Sequence, residues 1–512
     1  MVETRTSKSI RNVQVALFYY FINLVFQFLS RKIFIDHLGT EVLGLNTTAT
    51  NLLQFLNIAE LGIGTAIACT LYKPLFDRDV VAINEIVSLQ GWLYRRIAYV
   101  VGGGALLLMC FFPWIFAKMT LPIWYAYISF GALLVGALLS YFVNYRQIVL
   151  SADQKEYRIT FSYKSVILVK VLLQILAIKY LANAYIWWCI LEVVFACIAS
   201  YVLDKTIEWS YPFLRTNIKE GRKLRSKYPD IITKVKQLFF HKIAGFALTQ
   251  TSPLIIYAYA SLTLVALYGN YMLIIMGVST LMAAIFNSMN AGVGNLVAQG
   301  DKRLIISVFK ELFSIRFFAS CLMCFGVYIL TPSFISLWLG EEYIMANSVL
   351  TLMVAIMYIN ISRTTVDAYL SAYGLFRDVW APITEAILNI GTSILLGYFF
   401  GINGVLAGVL FSLIVIVFLW KPYFLFRSGF KMSIKIYANL YAKHLFAVII
   451  AYVLAYPILG MIPMDPSDSY QSFICCSLIY LSIFGIILML LLYLLSSGMR
   501  DFISRVMRLV KN

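Results

Sequence analysis

Apolar residues run along this chain in long windows with little alternation, separated by short polar or basic stretches. A window of about 20 apolar residues is long enough to cross a hydrocarbon layer as a helix. Such windows fall at 13–35, 43–71, 97–117, 121–146, 159–182, 184–204, 238–261, 264–298, 312–332, 346–373, 382–400, 403–426, 443–462 and 472–497. Membrane strands are about 10 residues long and alternate in polarity, so these runs exclude a β-barrel. The pattern predicts an all-α polytopic membrane protein with fourteen transmembrane helices, its two termini on the same side.

Composition sharpens this reading. The 512 residues are 61% hydrophobic and 13% charged. That charged share is roughly half the 25% or so of a soluble globular chain, which excludes a water-soluble enzyme or a secreted disulfide scaffold. The net charge of +17 would suggest nucleic acid in a soluble protein; here it reports topology, and no nucleic acid is expected. Of the 41 Lys and Arg, 34 fall before the first window or in alternate connections, notably 73–96, 146–158, 205–242, 302–316 and 421–444, and after 499. This asymmetry predicts cytoplasmic termini, with Asp36, Glu41, Glu341, Glu342, Asp465 and Asp468 on the outer side. Residues 13–30 have no small-residue cleavage site after them and read as a retained first span. The eight cysteines all sit in apolar stretches. Cys321 and Cys324 form a CxxC without a nearby His, so they read as small apolar packing, and neither a metal nor another cofactor is expected. The outer connections are short, which argues against an external catalytic domain.

A basic stretch at 205–236 separates six spans from the next six. The second span follows Gly44 and ends at Asp77-Arg78-Asp79, while the eighth follows Gly269 and ends at Asp301-Lys302-Arg303. Each is followed by an amphipathic helical stretch, 81–96 and 304–316. A tandem duplication predicts an N-terminal six-helix lobe at 1–204, the basic cytoplasmic linker 205–236 and a C-terminal six-helix lobe at 237–428. The lobes would be related by a pseudo-two-fold along the membrane normal, an arrangement that places a substrate site between them. Residues 429–512 add helices 13 and 14 and a basic tail.

Ionisable and amide groups within spans are costly and usually face a cavity or a partner. Asn23, Gln27 and Arg31 recur every four residues and share a helix face. Gln54, Asn57, Glu60 and Gly64 cluster on the second span, and Thr280, Asn287, Asn290 and Gly294 line up on the eighth. Asn360, Arg363, Asp367 and Ser371 line up on the tenth, and Lys170 and Gln174 share a face of the fifth. Plainer readings stand beside these. Arg31 and Lys164 lie near an interface and can snorkel. Arg363 and Asp367 are an i,i+4 pair able to neutralise itself. Glu60 and Glu192 suit protonated acids bonded to a neighbouring helix, or ion-coupling groups. Several cations among many amides suit an anionic, hydroxyl-rich ligand, because phosphate oxygens accept strong bonds from Arg and Lys and amides pair with sugar hydroxyls.

Several segments carry a resemblance. They are Ala59-Glu60-Leu61-Gly62-Ile63-Gly64-Thr65-Ala66 with Leu71-Tyr72-Lys73, then Leu267-Tyr268-Gly269-Asn270-Tyr271 and Val293-Gly294-Asn295-Leu296. Phe334-Ile335, Leu337-Trp338-Leu339-Gly340, Arg363-Thr364-Thr365 through Gly374-Leu375-Phe376, Glu385 through Asn389 and Gly401-Ile402-Asn403-Gly404-Val405 continue it. In order and spacing, over nearly the whole length, the chain resembles the polysaccharide transporter (Wzx-type) branch of the multidrug/oligosaccharidyl-lipid/polysaccharide flippase superfamily. The resemblance implies two rocking lobes that move an undecaprenyl-diphosphate-linked oligosaccharide from the cytoplasmic to the periplasmic leaflet of a bacterial inner membrane. It implies Arg31 and Arg363 as diphosphate-facing residues. The family pattern has an Asp in the seventh span where this chain reads Gln250-Thr251-Ser252-Pro253, which puts ion coupling there in doubt. Pro253 would act there as a bending point or a passive kink.

The expected activity is therefore flipping without covalent chemistry, with substrate contacts at Arg31, Lys170, Arg363, Asn23, Gln27, Asn57, Gln174, Asn287, Asn290 and Asn360. Ion coupling would fall to Glu60, Asp367 or Glu192. Expected partners are the lipid-linked oligosaccharide, the bilayer, and a polysaccharide polymerase with glycosyltransferases. A multidrug or small-cation antiporter would depend on Glu60 or Asp367. A glycan-assembling membrane enzyme would need an outer constellation, for which only His37 with Asp36 offers a hint. A scaffold within an assembly complex would tolerate loss of the buried charges.

Overall fold

The computed structural model describes residues 5–511 except 61, 154, 234, 236–251, 260, 288–292, 294–295, 298, 376–377 and 379. The chain divides into two compact units, Met1–Ala266 and Leu267–Asn512. Among the described residues ten helical segments are long and apolar enough to cross a membrane, and none forms a strand.

The first unit opens with α1 (Arg5–Leu56), which breaks at Gly39 (φ 84°) and carries the first apolar window and the start of the second. The second window does not run through as one helix. It gives way to a 3-10 turn at Asn57–Glu60 and resumes as α2 (Ile63–Asp77), with Gly62 at φ 94° before it. Gly62 permits this left-handed joint, which a side chain would strain. Next come α3 (Val80–Cys110), α4 (Trp124–Phe142), α5 (Ser165–Tyr180), α6 (Ala184–Ser210) and a short basic α7 (Gly221–Lys227). The amphipathic stretch 81–96 is the first half of α3, and the Asp79 side chain caps it by accepting from Ala82 N at 3.0 Å.

Ile67, Leu71, Ile83, Val87, Val101, Tyr141 and Ile207 form the main core of this unit. The basic stretch joins that core: Leu224 and Ile231 are buried in it, and Lys227 Nζ and Tyr228 Oη both bond to Glu85 Oε2 at 2.6 Å. Gly44 packs backbone to backbone on Leu262, where a Cβ would sit 2.0 Å from the carbonyl oxygen. The seventh window, 238–261, lies mostly outside the described residues, Gln250 and Thr251 included, while Pro253 falls within the helical residues 252–259.

Helix α8 (Leu262–Asn287) precedes α9 (Lys302–Trp338), which contains the stretch 304–316 and is capped by Asp301 accepting from Arg303 N at 2.9 Å. The similar Asp-containing segments 77–79 and 301–303 therefore both supply a helix N-cap. There follow α10 (Asn347–Ser362), α11 (Thr364–Ala372) and α12 (Trp380–Ser412). The last folds back at Gly401 (φ 57°), so Trp380–Phe430 holds the eleventh and twelfth windows. The two arms pack tightly: Ser393 Oγ donates to Val405 O at 2.9 Å and Thr392 Oγ1 to Gly408 O at 3.0 Å. After π-helical turns at Leu413–Trp420 and Leu425–Phe430 come α13 (Lys435–Gly460), α14 (Tyr470–Leu495) and α15 (Ser497–Lys511).

The core of the second unit is rich in aromatic residues, with Phe309, Phe313, Phe317, Tyr369, Phe426, Phe430 and Phe484, and it includes Ala447, Ala451, Leu488 and Leu492 of α13 and α14. His444 is fully buried there. Its Nδ1 lies 2.7 Å from Leu440 O and its Nε2 2.9 Å from Ser314 Oγ, itself 2.9 Å from Ser496 Oγ. Cys321 is part of this core, and Cys324 is also buried.

Candidate functional site

Among the described residues, the polar positions singled out by the sequence fall mainly into three clusters. The first sits on α5 and α6. Lys170 Nζ donates to Glu192 Oε1 at 2.6 Å, and Gln174 Nε2 donates to Glu192 Oε2 at 3.0 Å and to Trp188 O at 3.2 Å. Lys170 and Gln174 share a face because they are one turn apart, and both are buried. One carboxylate thus accepts from both residues expected to meet substrate.

The second cluster surrounds the interruption between α1 and α2. A broken span frees backbone groups at membrane depth, and such breaks mark places where ions or polar ligands are held. Tyr94 Oη donates to Glu60 Oε1 at 2.8 Å and Tyr141 Oη to Asn57 Oδ1 at 2.9 Å. The two rings meet edge to face at 5.7 Å. Neighbouring helices therefore hold both polar residues of the turn. In the same unit, on α1, Asn23 Nδ2 donates to Tyr19 O of its own helix at 2.8 Å, Gln27 is exposed, and Arg31 Nη2 donates to Ala266 O at 3.2 Å.

The third cluster is in the second unit. Arg363 sits at the joint between α10 and α11, and its Nε donates to Asp367 Oδ2 at 2.8 Å. Lys421, the residue after the π-helical turn Leu413–Trp420, donates from Nζ to Asp367 Oδ1 at 3.3 Å. One carboxylate thereby bridges two cations. Glu385 of α12 is 2% exposed, lies within electrostatic reach of all three, and its Oε1 has no hydrogen-bond partner among the described residues. Asn389, one turn along, is fully buried and donates to Ser412 Oγ at 3.4 Å. Asn360, on α10, is exposed. Asn287 ends α8, and Asn290 lies outside the described residues.

Of the expected residues, the structure brings together Lys170, Gln174 and Glu192 in one place, Asn57 and Glu60 in another, and Arg363 and Asp367 in a third. Lys421, Tyr94 and Tyr141 were not singled out by sequence reasoning, and Glu385 figured there only within a family-like segment. Their signal is contact across helices, which no spacing along the chain encodes.

No family model matches the sequence, and no curated protein matches it. Solved structures do. A lipid II flippase, MurJ, in an inward closed conformation matches with a TM-score of 0.67 at 12% identity, covering 97% of this chain and 100% of that one. An inward-facing multidrug resistance MATE family transporter of the MOP superfamily matches with a TM-score of 0.59 at 13% identity, covering 83% and 99%. A MATE structure in a bent conformation gives a TM-score of 0.51 at 13% identity, covering 82% and 96%. The chain is a multi-pass helical membrane protein, and its fold is the one found in MOP-superfamily transporters and flippases.

Proposed function

We propose that this chain is a flippase that carries an undecaprenyl-diphosphate-linked oligosaccharide repeat unit from the cytoplasmic to the periplasmic leaflet of a bacterial inner membrane, for surface polysaccharide export. The observation that carries the reading is the pair of cations, Arg363 and Lys421, held on one carboxylate among apolar helices. Purely structural helix contacts need no such arrangement, and two adjacent cations suit the oxygens of a diphosphate head. The fold supports it, since a lipid flippase pairs with 97% of the chain and a drug transporter with 83%. The head would bind among the cations while the polyprenyl tail stays in lipid, and alternating access would keep the sugars out of hydrocarbon. No bond is made or broken. Both termini and the basic stretch 205–236 face the cytoplasm in this reading.

A drug or small-cation antiporter would place its cation on Glu60 or Asp367. Asp367 already bridges two cations and Glu60 accepts from a tyrosine, which favours an anionic cargo. The test is surface polysaccharide in a strain whose own copy is deleted. Arg31→Ala and Arg363→Ala, singly and together, are expected to abolish export while inserting normally. Wild-type export from correctly inserted variants would overturn the reading.

A further inference from the structure

We propose that Arg363, Lys421, Asp367 and Glu385 form a proton-linked site for a phosphate-bearing anion, in which Asp367 occupies the anion's place and Glu385 sets the charge. The inference rests on the flippase reading only in taking the natural anion to be the diphosphate of a lipid-linked substrate.

Asp367 spans the two cations with one oxygen to each, 2.8 Å to Arg363 Nε and 3.3 Å to Lys421 Nζ. A phosphate group offers the same bridging geometry with a further oxygen, and such charge-assisted bonds are the strong ones. Arg363 donates to Asp367 from Nε, and a guanidinium carries further N–H donors in the same plane that suit a second oxygen of a phosphate. All three side chains keep partial exposure, 24% for Arg363, 14% for Lys421 and 34% for Asp367.

Glu385 decides the balance. With its carboxylate ionised, the cluster holds two positive and two negative charges and has no net attraction for an anion. An ionised carboxylate that is 2% exposed, with one oxygen unpartnered, is costly, and a proton removes the cost. The cluster then carries one net positive charge. Among the described residues the charged groups that face Glu385 are Arg363, Lys421 and Asp367; α12 has no other charged residue and α10 has none. Anion binding and proton uptake at Glu385 therefore favour one another, and the linkage is reciprocal.

The test uses the purified full chain in nanodiscs of zwitterionic lipid. The probes are farnesyl diphosphate and inorganic pyrophosphate, titrated calorimetrically in mildly acidic and mildly alkaline buffer. Buffers of different ionisation enthalpy report proton uptake. Binding of both probes is expected to be about tenfold tighter in acid, within the usual range of coupling between sites. In Glu385→Gln it should be tight in both buffers, with about one proton fewer taken up per anion. Asp367→Asn should bind more tightly than wild type, and Lys421→Met more weakly. Farnesyl diphosphate binding without pyrophosphate binding would place the attraction in the tail and overturn the anion site. Equal proton uptake by wild type and Glu385→Gln would overturn the proton link. If Glu385→Gln failed to fold, unchanged affinity in Lys421→Met would still be decisive against the site. Binding that behaves as expected in a chain that moves no lipid-linked sugar would sink the flippase reading and leave this one standing.

Discussion

Lys170 Nζ lies 2.6 Å from Glu192 Oε1, across helices joined by residues 181–183. The pair is largely desolvated, with side-chain exposures of 11% and 16%. Removing one partner of such a pair strands a charge, which typically costs about 3–5 kcal/mol, whereas replacing both with apolar groups is often neutral. Lys170→Met and Glu192→Leu should each lower thermal stability in detergent, and the double variant should recover most of it. Additive losses would show that Lys170 and Glu192 act separately.

The joint between α1 and α2 makes a second prediction. Tyr94→Phe removes the bond to Glu60 and should cost about 1–2 kcal/mol, because a half-buried acceptor loses its donor. Gly62→Ala forces a Cβ into a backbone at φ 94°, at a cost of about 1–2 kcal/mol. Both changes should lower the melting temperature by size-exclusion stability assay. A Gly62→Ala variant as stable as wild type would mean that the break is not fixed by its backbone.

The hairpin of α12 offers a cleaner contrast. A Cβ at Gly404 would lie 1.9 Å from Leu396 O and one at Gly408 2.4 Å from Ser393 N, while Gly391 has nothing within 4 Å. Gly404→Ala and Gly408→Ala should each cost about 1–3 kcal/mol or separate the arms. Gly391→Ala should be neutral or stabilising by up to about 1 kcal/mol. Folded yield and melting temperature of the three variants check this ordering.

Apolar windows made most of this fold legible, because a span must be apolar over its length whatever it packs against. The break at Asn57–Glu60 was hidden inside one such window, since hydropathy averages over a few polar residues, whereas the return at Gly401 falls in the gap between two. Polar spacing placed Arg363 and Asp367 together because the pair is local, one helical turn apart. It gave no hint that Lys421, 54 residues from Asp367, completes the bridge, and in sequence that lysine reads as one more basic residue at the end of a span. Asn23, Gln27 and Arg31 do share a stripe, yet Arg31 donates to a carbonyl 235 residues away.

Sidedness is open to direct measurement. A cysteine introduced at Arg225, exposed on α7, should react with an impermeant maleimide only from the cytoplasmic face in a background without native cysteines. Labelling from outside intact cells would reverse the topology and with it the direction of transport.

The most direct test of the central claim is translocation itself. Purified protein is reconstituted in liposomes with a fluorescent lipid-diphosphate-linked oligosaccharide, and the fraction reached by an added impermeant quencher is followed with time. The account predicts that the inner-leaflet pool becomes accessible with wild-type protein and stays protected with Arg363→Ala. Protection unchanged by folded, correctly inserted wild-type protein would contradict it.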